Sequence, residues 1–212
     1  MALSPGDGHK VLTMTKKYKV NEIFHSLQGE GVRMGTANFF IRFSGCNLQC
    51  RKESEGFDCD TEFQSGITLT TEEILRELQK LSTNCEWIIL TGGEPTLQVD
   101  DGLLNSLKSS GYKIAIETNG TRPVSPLIDW ICVSPKSAEH TLRQPTAHEV
   151  KYVRRYGMGI PQTTIKADHY LISPAFDSDH LSDENLRWCI ELVRKNPPWR
   201  LSLQTHKWLG IR

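Results

Sequence analysis

The sequence predicts an α/β protein whose sheet is mainly parallel. Two observations support this fold class. Strand-like and helix-like segments alternate along the chain at the spacing of βα units. Polar or glycine-containing clusters also follow several of the strands directly, at residues 44–46, 91–94, 117–119 and 134–136. Parallel α/β sheets place their ligand sites at the C-terminal ends of the strands, so these clusters should meet in space.

Short apolar or alternating runs predict the strands. In chain order the predicted strands cover residues 20–27, 38–43, 87–90, 113–117, 130–133, 150–153, 170–173 and 200–204. A helix is predicted over residues 70–82, because Thr70 and Glu73 have the spacing of a capping box. Its apolar positions 74, 75, 78 and 81 share one helix face.

Two further helices are predicted from the same kind of pattern. One covers residues 103–110 and ends at Gly111, since glycine is common just beyond a helix end. The other covers residues 182–195, with Leu186, Ile190 and Val193 on its inward face. The sequence thus predicts a flexible leader over residues 1–17 and one domain over residues 18–212.

Composition limits the classes of function. The 212 residues carry 25 basic and 25 acidic side chains, so excess positive charge for non-specific nucleic-acid binding is absent. No apolar run approaches the roughly 18 residues of a membrane helix, and the N-terminal residues lack the apolar segment of a secretory signal. We therefore expect a cytoplasmic protein that acts on neither nucleic acid nor membranes.

The six cysteines divide into a cluster and a scattered set. Cys46, Cys50 and Cys59 fall close together, whereas those at positions 85, 132 and 189 lie in or beside predicted strands and a helix, where packing is the expected role. In a reducing compartment, clustered cysteines more often bind metal than form disulfides. Structural zinc normally takes four ligands, and the closest histidine is His25.

A [4Fe–4S] cluster also usually takes four thiolates, and three thiolates leave one iron with an open position. On this segment alone, an iron–sulfur cluster, a zinc site and incidental thiols all stay open.

The cysteine segment, with its C-x3-C spacing after a strand, resembles the cluster loop of radical S-adenosylmethionine (SAM) enzymes. Residues 91–95, Thr-Gly-Gly-Glu-Pro, resemble the glycine-rich SAM motif of that superfamily. More narrowly, the chain resembles the 7-carboxy-7-deazaguanine synthase family over residues 18–212. The segments that carry this resemblance are residues 20–24, 27–31, 41–43, 46–48, 59–61, 116–120, 133–136 and 201–207.

One feature departs from the superfamily pattern, in which two residues separate the second and third cysteines. Here eight residues separate Cys50 from Cys59, and Gly56 stands where the ordinary spacing would place a cysteine. Loop closure costs grow slowly with length, so eight residues can still bring the thiols together. Asp58 replaces the aromatic residue that usually precedes the third cysteine, which leaves the adenine contact open.

The resemblance implies a partial, modified (β/α)6 radical SAM barrel. The length agrees, because a complete eightfold barrel needs about 250 residues. It also implies that Cys46, Cys50 and Cys59 hold a [4Fe–4S] cluster, that Thr61 is a Mg²⁺ ligand, and that the cofactor radical, rather than a protein side chain, is catalytic. From the residue type alone, Thr61 would be a turn threonine.

The resemblance assigns two sets of binding residues. The SAM-binding set is Asp58, Cys59, Asp60, Gly93, Glu117, Asn119, Ser134, Pro135, Lys136, Ser173, Pro174, Ala175 and Phe176. The substrate-binding set is Leu27, Gln28, Gly29, Glu30, Arg42, Thr91, His206 and Arg212. On sequence alone Arg42 could equally be a surface residue, and His206 a buried structural histidine.

The implied substrate is 6-carboxy-5,6,7,8-tetrahydropterin. Abstraction of its C6 hydrogen by a 5′-deoxyadenosyl radical, ring contraction and loss of ammonia would give 7-carboxy-7-deazaguanine, a precursor of queuosine. The implied enzyme is a Mg²⁺-dependent lyase, a homodimer that takes electrons from a flavodoxin-type donor. Two alternatives stay open: an activating radical SAM enzyme that makes a glycyl radical on a partner protein, and a zinc-binding interaction module.

Overall fold

A computed structural model describes residues 16–48, 50, 62–81, 84–177 and 180–212. The predicted leader lies outside these residues, except for its last two. Lys17 is the first residue of a strand, and Lys16 donates to Asp100 Oδ2 at 2.7 Å. The first element therefore begins three residues before the predicted strand start at Val20.

The described residues contain eleven strands and four α-helices. The strands are β1 Lys17–Leu27, β2 Ala37–Phe43, β3 Ile67–Thr70, β4 Trp87–Gly92, β5 Lys113–Thr118, β6 Trp130–Val133, β7 Thr146–Arg154, β8 Lys166–Pro174, β9 Phe176–Asp177, β10 His180–Leu181 and β11 Trp199–Leu201. The helices are α1 Thr71–Leu81, α2 Asp101–Ser109, α3 Asp183–Lys195 and α4 Thr205–Leu209. β9 and β10 pair only with each other.

The other nine strands form one mixed sheet in the order β11-β8-β7-β6-β5-β4-β2-β1-β3. Seven adjacent strands, from β2 to β11, are parallel, and β1 joins β2 in antiparallel register. β3 and β11 are the edge strands, so the sheet is open. The predicted α/β class and mainly parallel sheet are confirmed.

Several strand connections of this open sheet lack the α-helix that a regular (β/α) barrel has between its strands. In the described part of the chain, residues 119–129, 134–145 and 155–165 connect β5, β6, β7 and β8 without an α-helix. A 3-10 turn at Glu139–Thr141 is the regular structure that these connections contain. Shortened connections explain how 212 residues accommodate seven parallel strands.

The main apolar core lies between the sheet and helices α1 and α2. Alternate residues of the central strands point to this side, so Ile41, Leu90 and Ile116 are 0–1% exposed. Leu78 of α1 and Leu104 of α2 are fully buried against them. A second core forms where α3 covers β7 and β8.

The capping box predicted for α1 is confirmed. Thr70 N donates to Glu73 Oε2 at 2.7 Å, and Glu73 N donates to Thr70 Oγ1 at 3.3 Å. Ile74 and Leu78 are buried, whereas Leu81 at the end of the predicted apolar face is 42% exposed.

Helix α2 begins two residues before the predicted start at Leu103, because Asp100 caps it by accepting from Leu103 N at 3.0 Å. Its predicted terminal glycine is confirmed, since Gly111 follows the helix end with φ of +91°.

The predicted inward face of α3 is wrong in part. Asn185 and Cys189 are the buried residues, Val193 packs beside them, and Ile190 is 38% exposed. Asn185 turns inward because its Nδ2 donates to Ala175 O at 3.0 Å and its Oδ1 accepts from Tyr156 N at 2.8 Å. These two bonds fix the rotation of the helix and override its apolar pattern.

No helix in the described ranges combines the length and apolar character that a membrane crossing requires.

Candidate active site

One face of the central sheet carries a row of polar side chains. Arg42, Thr91, Glu117, Cys132 and Glu149 lie on five neighbouring strands, β2 and β4–β7, at matched register positions. Side chains at matched positions project from the same face, and neighbouring strands lie about 4.8 Å apart. This face is opposite the main core. We call it the inner face.

The clusters at the strand ends meet, as predicted, and the Glu94 side chain connects two of them. Its carboxylate is fully buried and accepts from Thr118 Oγ1 and Asn119 N, each at 2.7 Å. It also accepts from Thr96 Oγ1 at 2.6 Å. The Glu94 backbone N donates to Gly45 O at 2.9 Å. The buried carboxylate of Glu94 therefore connects the ends of β4 and β5, and its backbone N adds the segment that follows β2.

Replacing Glu94 by glutamine should destabilise the fold by about 1–3 kcal/mol, because an amide NH₂ would face donors that now meet an acceptor. Urea unfolding measures the change. Glu86→Gln is the matched control: its side chain is 68% exposed in an ion pair with Lys113, so we expect a change within about 0.5 kcal/mol. Equal unfolding free energies for the two variants would contradict this role of Glu94.

The glycine turn after β4 lies against the start of the cysteine segment. Gly93 N donates to Phe43 O at 3.0 Å, and a Cβ on Gly93 would fall 2.0 Å from Gly45 O. Gly92 has φ of +117°, and its Cβ would fall 2.2 Å from Phe43 O. Both positions require glycine, because the backbone of residues 43–45 packs directly against them.

The described part of the cysteine loop is tied to the end of β5. Asn119 Nδ2 donates to Asn47 Oδ1 at 3.0 Å, and Asn47 Nδ2 donates to Thr121 Oγ1 at 2.9 Å. Leu48 N points at Cys46 Sγ at 3.4 Å. An N–H directed at sulfur favours the thiolate form that an iron cluster needs, so the surroundings of Cys46 fit a cluster ligand.

Four predicted residues of this region, Asp58, Cys59, Asp60 and Thr61, lie outside the described residues, as does the insertion that precedes them. The predicted third thiolate and Mg²⁺ ligand therefore stay predictions. Within the described ranges no group of three or more histidine, cysteine or acidic side chains is arranged to hold a metal.

Gln28 links the predicted substrate residues to the predicted SAM residue Glu117. Gln28 Nε2 donates to one Glu117 oxygen at 2.8 Å, and Thr91 Oγ1 donates to the other at 3.0 Å. Gln28 Oε1 also accepts from Glu30 N at 3.1 Å. Gln28, Thr91 and Glu117 are all buried or nearly so, which leaves these bonds little competition from water.

A buried ion pair lies beside this network. The Lys151 ammonium, on β7, contacts Glu30 Oε2, and Gln204 Nε2 donates to Glu30 Oε1 at 2.6 Å. Burial would raise the pKa of Glu30, but the charge and hydrogen bond of Lys151, with Gln204 and His206, lower it to about 2. Burial acts to lower the pKa of Lys151, but Glu30 outweighs it and raises that pKa. Both groups are therefore charged at neutral pH.

Residues near the end of the sequence return to this network. Thr205 N and Oγ1 both donate to Gly29 O at 2.9 Å. The His206 ring lies against Gly29, where a Cβ would come within 2.2 Å of Nδ1. The structure thus brings together the predicted residues Gly29, Glu30 and His206. The Leu27 side chain is 39% exposed, so we expect Leu27 to contact a substrate through its backbone.

Two arginines meet at Glu22. Arg42 Nε lies 2.8 Å from Glu22 Oε1, and an Arg212 guanidinium nitrogen lies 3.4 Å from Glu22 Oε2. Both guanidinium groups also lie over the Phe24 ring, at 5.6 and 5.9 Å. Arg42 and Arg212 therefore share Glu22 as an ion-pair partner, and two guanidinium charges meet one carboxylate there.

The two late SAM segments follow β6 and β8. Ser134 Oγ donates to Lys151 O at 3.1 Å, and the Ser134 backbone N donates to Thr118 O at 2.8 Å. Pro135 is buried and Lys136 half-buried beside it. The other segment is Ser173, Pro174, Ala175 and Phe176, of which Ser173 and Ala175 are 3% and 2% exposed. Lys207 lies 4.1 Å over the Phe176 ring.

Sequence reasoning assigned no role in the site to several of its polar residues, namely Glu22, Cys132, Glu149, Lys151 and Gln204. For Glu149 and Lys151 a signal existed, because two charged residues two apart alternate with apolar Val150 and Tyr152. Cys132 was expected to have a packing role, and it is buried on the inner face. Burial, reinforced by Glu149, raises the pKa of its thiol well above the ordinary value.

Comparisons with known proteins agree with this geometry. The sequence model of the radical SAM superfamily matches residues 40–155, more than half of the chain, so the protein is a radical SAM protein. Curated relatives narrow the assignment. The 7-carboxy-7-deazaguanine synthase of Bacteroides thetaiotaomicron is 43% identical and covers 92% of this chain and 98% of that protein. The chain belongs to the 7-carboxy-7-deazaguanine synthase family.

Other relatives agree with this assignment. The 7-carboxy-7-deazaguanine synthase of Bradyrhizobium diazoefficiens is 38% identical over 92% of this chain and 99% of that protein. The crystal structure of QueE from Escherichia coli matches with a TM-score of 0.68, covering 89% of this chain and 94% of that one. At 24% identity the last match supports the fold alone.

Proposed function

We propose that this chain converts 6-carboxy-5,6,7,8-tetrahydropterin into 7-carboxy-7-deazaguanine with loss of ammonia, as a Mg²⁺-dependent lyase. The observation that carries the proposal is the position of Glu117. This predicted SAM residue accepts hydrogen bonds from Gln28 and Thr91, which are both predicted substrate residues. A cofactor site and a substrate site that share one carboxylate suit a reaction in which a radical formed on one side acts on the other.

The residues proposed to hold the cluster are Cys46 and Cys50, with Cys59 from outside the described part. When bound, the cluster and SAM supply the 5′-deoxyadenosyl radical that performs the hydrogen abstraction. The protein's own part is to bind and orient. Gly93 lets the turn after β4 pack directly against Gly45 at the start of the cysteine segment, and Asn119, Ser134 and Lys136 lie at neighbouring strand ends.

Substrate recognition divides into two regions. Gln28 and Glu30 offer hydrogen-bonding groups for the flat pterin edge, and Arg42 and Arg212 offer charge for the substrate carboxylate. Thr61 is proposed as a Mg²⁺ ligand, because Mg²⁺ prefers oxygen ligands and keeps several waters. A cytoplasmic location, a flavodoxin-type electron donor and a homodimer complete the proposal. They rest on the family resemblance.

An anaerobic assay of the reconstituted full chain tests the proposal. The reaction contains SAM, Mg²⁺, a chemical reductant and the carboxypterin, and mass spectrometry detects the product. We expect 7-carboxy-7-deazaguanine to form, and its yield to fall when SAM or Mg²⁺ is omitted. SAM cleavage with no pterin turnover would favour a glycyl-radical activating enzyme instead. A preparation that takes up zinc but no iron would favour the interaction module.

Replacing Arg42 by glutamine should raise the KM for the carboxypterin about 10- to 100-fold, since hydrogen bonds to charged groups contribute about 1.5–3 kcal/mol. Steady-state kinetics measure this change. Arg200→Gln is the control, because Arg200 is exposed on β11. An unchanged KM in the Arg42 variant would remove this residue from carboxylate recognition.

A further inference from the structure

The ion pair between Lys151 and Glu30 indicates a role that rests on the function proposed above. Lys151 was not among the predicted site residues, yet its side chain is 10% exposed and that of Glu30 is 14% exposed. Burying two charges is costly unless they are paired and hydrogen-bonded. This ion pair lies beside the hydrogen bonds between Gln28 and Glu117. Its cost therefore points to a role of the pair in the site.

The Glu30 carboxylate is held on several sides. Lys151 contacts Oε2, Gln204 Nε2 donates to Oε1 at 2.6 Å, and the Glu30 backbone N donates to Gln28 Oε1 at 3.1 Å. Each carboxylate oxygen can accept about two hydrogen bonds. Lys151 and Gln204 each take one accepting position, so each oxygen has the capacity to accept one further hydrogen bond, in a geometry fixed by these two residues.

The charged and titratable groups around this carboxylate come from four elements. They are Lys151 and Glu149 on β7, Glu117 on β5, Cys132 on β6 and His206 on α4. Lys151 is the cation of this set that contacts the Glu30 carboxylate directly. Without it, Glu30 would lie in a buried region beside two other carboxylates, and burial would favour its protonated form.

We propose that Lys151 is a positioning residue that holds Glu30 as an ionised, two-oxygen acceptor for the 2-amino and ring N–H donors of the substrate. A 2-amino-4-oxo heterocycle presents two adjacent N–H donors that match a carboxylate. The 2-oxo counterpart places a carbonyl oxygen there, which repels the carboxylate and leaves it unpaired. Lys151 thereby makes the site select 2-amino over 2-oxo heterocycles.

The test compares three proteins: the wild type, Lys151→Met and Lys151→Arg. The KM for the carboxypterin is measured from pH 6 to pH 9, together with competition by the 2-oxo analogue. In the wild type the pKa of Glu30 is about 2, so Glu30 stays ionised from pH 6 to pH 9. We therefore expect no change of KM caused by Glu30 in this range. In Lys151→Met that pKa rises, so the KM should increase as the pH falls. We expect a rise of about 100-fold at pH 6, and a loss of discrimination against the 2-oxo analogue.

Lys151→Arg keeps the charge and should keep a flat pH profile and the discrimination, even if its kcat falls. The double variant Lys151→Met/Glu30→Gln removes both charges and leaves no unpaired buried charge. It should therefore fold even if Lys151→Met alone fails to fold. It should show no acid-side rise in KM and no discrimination. Lys113→Met is the matched control, because this lysine makes an ion pair in which its side chain is 56% exposed.

The outcomes separate this inference from the proposed function. If the wild type does not turn over the carboxypterin, the proposed function fails. If the wild type is active but Lys151→Met keeps a flat pH profile and full discrimination, the role of Lys151 is overturned. An acid-side loss in Lys151→Arg as large as in Lys151→Met would also overturn it, because the positive charge would then not be the cause.

Discussion

Cys50→Ala is expected to abolish both cluster assembly and turnover. Removing one of three thiolates leaves a [4Fe–4S] cluster with two protein ligands, and neither Asn47 nor Gln49 beside it offers a replacement of the same softness. Anaerobic reconstitution followed by iron and sulfide analysis measures assembly, and product formation measures turnover. We expect iron near background and a rate below about one-thousandth of the wild-type rate, since the radical chemistry depends wholly on the cofactor.

The control for this experiment is Cys85→Ala. Cys85 is half-buried beside the main core, with its Sγ 3.5 Å from Ala37 O, and it belongs to neither predicted binding set. This variant should keep its iron and its activity, with a modest loss of stability. Wild-type iron content and turnover in Cys50→Ala would show that the cysteine loop has been assigned wrongly.

Gly93→Ala is expected to have the second largest effect. Its Cβ would fall 2.0 Å from Gly45 O and 2.6 Å from Gly45 C, both backbone atoms, and 3.2 Å from Cys46 Cβ. The backbone there cannot move freely, because Gly93 N and Glu94 N are bonded to Phe43 O and Gly45 O. We expect a stability loss of about 3 kcal/mol or more, together with defective cluster loading.

Urea unfolding and iron analysis of the same preparation measure both effects of Gly93→Ala. Gly102→Ala is the matched control. Its Cβ would lie 3.4 Å from Asp100 Oδ1, an ordinary contact, and alanine is favoured in a helix by about 0.5–1 kcal/mol. Equal stability and iron content in the two alanine variants would show that the turn after β4 tolerates a side chain.

The main parallel strands could be predicted because they are short apolar runs between polar clusters. β3 could not, because its pairing with β1 involves exposed residues such as Ile67, which is 63% exposed and has no alternating pattern. The face of α3 was mispredicted because Asn185, a polar residue, is buried by two hydrogen bonds to distant loops. The spacing of apolar residues along a helix predicts apolar contacts, but it does not predict hydrogen bonds of this kind.

The candidate site was predicted to a similar extent. The convergence of the strand ends followed from topology alone, and the glycine turn from its residue types. Glu94 belonged to a predicted cluster, but its hydrogen bonds could not be predicted, because its partners Thr118 and Asn119 lie 24 and 25 residues away, at the end of the next strand. Lys151 and Glu30 are 121 residues apart, and a single sequence carries no signal that joins residues at that separation.

Residues 204–206 contact Gly29 and Glu30, and these contacts determine when the pocket can form while the chain is being synthesised. The two halves of this contact are more than 170 positions apart. The ribosome makes the chain from its N-terminus, and contacts between distant segments form late because they require closure of a long loop. The glycine turn and the cysteine segment can pair once β5 has emerged. The pocket around Glu30 is completed only after Gln204 and Thr205 have been translated.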